Sequence, residues 1–172
     1  FDPSLLCEIV EYDRETVSLL LERLCERDYF YRNDDGSVSF AHDSIQESAA
    51  SSLDSGKKSG YHRMIGGLLR ERYHEHLEEH IFEIADHCNM AAGTDNTDEE
   101  KKELYVLNMR AAERARETAA FQAAVDYLKQ AMELLHGFVE PCETDAWFDV
   151  YYGLAECLCV TGQPERAEKI IN

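Results

Sequence analysis

Four groups of residues have types and spacings that could do chemistry. The most specific is the pair His42-Asp43, set between an alternating stretch, Val38-Ser39-Phe40, and the start of a helical one, Ser44-Ile45-Gln46. A neutral or protonated imidazole can donate a hydrogen bond to a phosphate oxygen. A carboxylate at that place can cap the new helix through its first-turn amides. The plainer reading makes His42 an N-terminal helix residue packed beside a hairpin. His74-Glu75-His76-Leu77-Glu78-Glu79-His80 invites a metal, since His76 and His80 stand at i, i+4. The zincin order H-E-x-x-H begins at neither His74 nor His76, and histidines among acids suit a solvated helix start, so no metal ligand is assigned. Gly56-Lys57-Lys58-Ser59 approximates the end of a phosphate-cradling loop, but the upstream glycine and strand are missing. Cys157 and Cys159, at i, i+2, point to different faces of a helix. No nucleophile with a neighbouring base is discernible, so no catalytic residue is assigned and no enzyme activity is expected of this stretch.

The elements that would position His42 and Asp43 read as follows. Ser4 to Glu11 is a short helix. Asp13 N-caps the next, with Thr16 three residues on, and Val17, Leu20, Leu21, Leu24 and Cys25 form one core stripe. Tyr29-Phe30-Tyr31 is strand-like, and Asn33-Asp34-Asp35-Gly36 is a turn in which Asp-Gly would supply the positive-φ positions of a tight hairpin. A helix from Asp43 to Leu53 follows. Helix, helix and small hairpin form the tail of a winged helix whose usual first helix is missing. With the absence of a methionine at Phe1, this predicts an excerpt of a longer chain. Ser55 to Gly60 reads as a polar break. Helices are then expected at Tyr61–Tyr73, Leu77–Met90, Asp98–Thr118, from Phe121 through Leu135 to an end at Gly137 and Pro141, at Thr144–Thr161 and at Pro164–Ile171. Gly93 to Thr97 reads as a loop. The fold class is mainly α, a truncated winged helix over 1–55 followed by an antiparallel helical array over 56–172.

Composition excludes several partners. The 172 residues include 35 acidic and 17 basic, a net charge of -18, which repels phosphate backbones and anionic lipid heads. The candidate recognition helix sets Glu15, Glu22 and Glu26 against Arg23 and Arg27, no basic footprint for DNA. Neither nucleic acid nor membrane is an expected partner; protein partners or neighbouring domains of the same chain are. Six scattered cysteines in helical patterns, with no apolar run able to span a bilayer, suit a reduced, cytoplasmic setting.

The stretch Phe121-Gln-Ala-Ala124-Val-Asp-Tyr127-Leu128-Lys-Gln-Ala131-Met-Glu-Leu-Leu135 resembles the second helix of a tetratricopeptide repeat, with small alanines where paired helices cross. Ala111 and Ala112 lie where the first helix of that repeat has its Leu-Gly pair. A second unit follows in Leu154-Ala155 and Gly162-Gln-Pro164-Glu-Arg-Ala167. Ala124 and Ala167 are 43 positions apart, longer than the usual period of about 34, so the repeats are long and degenerate. Stacked helix pairs make extended surfaces for partners and need no catalytic group.

Phe40-x-His42-Asp43-x-Ile45-Gln46 resembles the methionine-histidine-aspartate motif of signal-transducing ATPases with numerous domains, with Ala41 in the methionine's place. The series Tyr61-His62-x-x-Ile65-Gly66-x-Leu68-Leu69, Ile81-Phe-Glu-Ile-Ala-Asp-His87-Cys-Asn89 and Leu107-Asn108-x-x-Ala111-Ala112 extends the resemblance over nearly the whole chain, toward large AAA-type ATPase regulators, some with an attached kinase domain. The resemblance implies a winged helix packed on an ATPase module that binds ATP or ADP. In it His42 approaches the β-phosphate of ADP and Asp43 braces the local fold. No cofactor is expected within residues 1–172 themselves. The alternative expectation is a stand-alone repeat scaffold that binds a peptide or partner protein.

Overall fold

The computed structural model describes residues 1–10, 12–93, 96–138 and 144–171, the side chains of Phe138 and Thr144 excepted. Among them lie nine α-helices and one two-stranded antiparallel sheet. The chain forms two compact units, Phe1–Leu68 and Leu69–Asn172.

In the first unit the first two helices begin where an acidic side chain meets free amides. Asp2 accepts from the main-chain N–H of Ser4 at 2.8 Å and opens α1, Pro3–Val10, where proline at the first helical position loses no hydrogen bond. Glu11, the expected end of this helix, lies outside the described residues. Asp13 accepts from the N–H of Thr16 at 2.8 Å and opens α2, Arg14–Glu26. That bond, more than anything else, holds the Asp13 carboxyl below its ordinary range.

The α2 stripe is narrower than its sequence suggests. Val17 and Leu21 are buried, but Leu20 is exposed. The reason is the size of the covering element. The hairpin β1 (Phe30–Arg32) and β2 (Val38–Phe40) sends in one fully buried residue, Val38, and Val17, Leu21 and Val38 form the core with Leu6, Cys7, Val10 and Phe30 packed around it. Val38 alone cannot roof the whole stripe. The register pairs Phe30 with Phe40 and Arg32 with Val38.

The turn also differs from expectation. Only Gly36, at φ +83°, takes a positive φ. Gly36 N–H donates to Asn33 O at 3.0 Å, and Asn33 N–H to Ser37 O at 2.9 Å. This is a four-residue turn closed by a left-handed glycine bulge, in which Asp35 needs no strained backbone.

Beyond β2 come α3, Asp43–Ser51, and α4, Ser55–Arg72. The expected polar break at Ser55–Gly60 is helix. Asp54 accepts from Lys57 N–H at 2.8 Å through its side chain and from Lys58 N–H at 3.1 Å through its carbonyl. This cap offsets the low helix propensity of Gly56 and Gly60, about 1 kcal/mol each.

The second unit stacks helices in chain order. A 3-10 turn, Leu77–Glu79, precedes α5, Ile81–Ala91, so the expected helix from Leu77 changes pitch at His80. Then come α6 (Asp98–Glu117), α7 (Phe121–Phe138), α8 (Thr144–Val160) and α9 (Pro164–Ile171). The expected loop residues Thr94 and Asp95, and Pro141, lie outside the described residues. Thr97 and Glu100 form a capping box at the start of α6. Each helix packs on the next: α5 on α6, α6 on α7, α7 on α8 and α8 on α9. Ala111, Ala115, Ala124 and Ala131 are fully buried at the crossings, where a small side chain lets two backbones approach. Leu128, Leu135, Leu154 and Leu158 fill the space between.

The α6–α7 and α8–α9 turns are built alike, 43 positions apart. Ala119 and Gly162 take left-handed φ of +59° and +76°. Ala119 N–H donates to Arg116 O and Ala120 N–H to Ala115 O; Gly162 N–H donates to Cys159 O and Gln163 N–H to Leu158 O. This double closure is the Schellman arrangement. Thr118 and Thr161 hydroxyls each donate back to the carbonyls three and four residues earlier.

Candidate functional site

The hairpin–helix junction places His42 and Asp43 at one point on the surface of the first unit. Ala41 N–H donates to Tyr29 O at 2.9 Å, pinning the chain to the hairpin immediately before the pair. His42 is extended, φ -145° and ψ 143°, in the cap position of α3, and its carbonyl accepts the first helical hydrogen bonds from Ile45 and Gln46. Its imidazole makes no capping hydrogen bond. Both side chains are exposed, and α3 buries no residue at all.

Asp43 does not cap α3 as expected. It is the first helical residue, one place too late for its carboxylate to meet the amides at N2 and N3 as a cap does. It still lies in the first turn, where the helix dipole favours negative charge. As the plainer reading has it, His42 stands at the N-terminus of α3 next to the hairpin, with its side chain exposed. What is firm is the scaffold: Val38 is fully buried four residues before His42, and the Phe30 and Phe40 rings meet at 4.6 Å.

The other sequence candidates separate. His74 Nδ1 lies 2.9 Å from Glu71 O, His76 Nδ1 3.5 Å from Glu79 Oε1, and His80 stacks on Tyr73 at 3.5 Å. His76 and His80 flank the 3-10 turn rather than sharing an α-helical face. Among the described residues no group of three or more His, Cys, Asp and Glu is placed to hold a metal. Cys157 is buried, and burial raises its thiol pKa, whereas Cys159 is exposed on the other side of α8. Gly56-Lys57-Lys58-Ser59 lies within the first turns of α4. No described helix is long and apolar enough to cross a membrane.

Two polar contacts in the second unit carried no sequence signal of partnership. Asn108, fully buried on α6, and Asn89 on α5 exchange side-chain hydrogen bonds at 2.8 and 2.9 Å; Asn108 also donates to Leu104 O. Tyr127 on α7 donates to Asp86 on α5 at 2.8 Å. Beside that bond Asp86, Asn89, Met90, Asp126, Tyr127 and Gln130 line a surface cleft of about 450 Å³. Both asparagines fall in segments quoted for the resemblance, yet spacing alone could not pair residues 19 positions apart. Arg110 with Glu78 and Arg116 with Glu156 bind neighbouring elements at the surface.

No family model matches this chain, and neither a curated protein nor a solved structure matches it.

Proposed function

We propose that residues 1–172 act as a non-catalytic regulatory and protein-interaction segment of a multidomain signalling ATPase. Residues 1–55 are read as a truncated winged helix, with His42 sensing the ADP held by an ATPase module. Residues 56–172 are read as a tetratricopeptide-like array that binds partners or holds the closed state. The observation that carries this is the presentation of His42: extended, exposed, its imidazole making no capping hydrogen bond, on a scaffold fixed by Val38 and directly before a helix that buries nothing. An imidazole held this way is free to donate to a phosphate brought to it, and α3 has a whole surface left for a neighbouring module. The two like-built turns 43 positions apart support the repeat reading.

On this reading nucleotide chemistry belongs to the ATPase module. Purified residues 1–172 are expected to hydrolyse no ATP and to show no saturable ADP binding at micromolar concentration by calorimetry. Either activity in the isolated segment overturns the division of labour. The cleft between α5 and α7 favours a second reading, a repeat scaffold for a peptide. That reading predicts partner capture by residues 61–172 that is indifferent to nucleotide.

A further inference from the structure

The 43-residue correspondence shows what is missing from the outer face of the last helix pair. Tyr105, Met109, Arg116 and Leu128 of α6–α7 correspond to Phe148, Tyr152, Cys159 and Ile171 of α8–α9. Against the next pair Leu128 is buried, Tyr105 and Met109 are half-buried, and Arg116 makes an ion pair while remaining exposed. Tyr105 and Met109 pack into the cluster of Ala131, Leu135 and Val150, with Ala146 beside them. Arg116 pairs with Glu156. Leu128 is 3% exposed, its methyls 3.5 Å from where a Cβ on Gly153 would stand. The second set is bare. Phe148, Tyr152 and Ile171 are 65%, 59% and 70% exposed, and Cys159 is exposed. Phe148 and Tyr152 stack on each other at 5.7 Å, and both stay more than half exposed. A large apolar surface of this kind marks an interaction site.

We propose that Phe148, Tyr152, Cys159 and Ile171 form the docking surface for one further helical hairpin of the same build, supplied from outside residues 1–172. Its first helix carries small residues seven apart, as Ala146 and Gly153 do on α8, so that its backbone approaches the aromatic rings at one end and Ile171 at the other, as Gly153 approaches Leu128. An aliphatic residue stands between them, as Val150 does. A second copy of the chain is a poor occupant. Its own seam of this kind is already closed by Leu128 and the Val150 cluster, and each copy carries a net charge of -18. The proposal stands on the repeat geometry and is independent of the nucleotide role of His42.

The test extends the chain after Asn172 with a copy of its own residues 130–172. Gln130 then follows Asn172 in the register it holds after Lys129. The appended copy carries Cys142→Ser, Cys157→Ala and Cys159→Ser, so the peptide bearing the original Cys159 is distinct by mass. Alkylation of Cys159 is expected to slow by at least about tenfold, and the urea midpoint to rise, as the surface closes. Adding Phe148→Asp and Tyr152→Asp removes both gains, while the same pair in the 172-residue chain leaves its midpoint unchanged. Unaltered Cys159 alkylation, or appended residues that add no helical signal, overturns the proposal. Sedimentation of the unextended chain as a dimer that itself protects Cys159 also overturns it, in favour of a second copy.

Discussion

Ala119 and Gly162 occupy the same left-handed place in two matching turns, and only one of them is suited to it. A Cβ in the left-handed region costs roughly 1 kcal/mol or more, which glycine escapes at some cost in chain entropy. Ala119→Gly should therefore stabilise the protein by about 0.5 kcal/mol and Gly162→Ala destabilise it by about 1 kcal/mol, read from urea midpoints. Shifts of the same sign would show that the two turns are not equivalent. Asn89 and Asn108 make a different kind of argument. Asn108→Ala strands the half-buried amide of Asn89 and opens a cavity, a loss of about 1–3 kcal/mol. Replacing both by leucine removes the stranded groups together and should recover part of that loss. A double-mutant cycle measures the coupling, and additive losses would mean the two amides do not depend on each other.

Helices of this protein differ in how much they bury, and their dynamics should follow. α3 contributes no buried residue whereas α7 buries Ala124, Val125, Leu128, Ala131 and Leu135. Amide exchange in Asp43–Ser51 should be at least about a hundredfold faster than in the centre of α7, as expected for a segment with few apolar contacts. Equal protection would mean α3 is covered in solution. The tie between α5 and α7 is open to a pH test. Burial first, then the hydrogen bond donated to Asp86, raises the Tyr127 phenol well above its ordinary value. A raised folded value gives stability that is complete below the unfolded value, about 10, and is lost as pH rises through the folded value. Thermal midpoints should fall above pH 10, and less steeply in Tyr127→Phe. Cys88 and Cys157, raised by burial, begin the decline earlier in both proteins.

The elements were largely readable because their signals are local: Asp13 as a cap, Gly36 as a positive-φ turn residue, Gly162 between two helices, alanines at helical spacing. The misses are non-local or competitive. Leu20 matches the α2 stripe, but how far a stripe is covered depends on the size of the hairpin laid on it. Ser55–Gly60 looks like a break by composition until Asp54 caps it. Ala119 in a glycine's place carries no signal, and the Asn89–Asn108 pair needs two helices already docked. His42 was legible as a candidate from its neighbours, while its exposure and Asp43's displacement from the cap position emerged only with the helix boundary.

At the scale of the whole molecule one acidic chain carries two surfaces, an imidazole presented at the hairpin–helix junction and an exposed apolar face on the last helix pair. A sensor of bound nucleotide works only as a population shift, so its effect cannot exceed the difference in its contacts between the two states. One charge-assisted hydrogen bond to phosphate, about 1.5–3 kcal/mol, corresponds to a change of roughly tenfold to a hundredfold. The most direct measurement is the release rate of a fluorescent ADP analogue from the full-length protein, wild type against His42→Ala. Release at least about tenfold faster in the variant, with unchanged far-ultraviolet circular dichroism, is the predicted result. Release at the wild-type rate would contradict the account and leave His42 a surface residue.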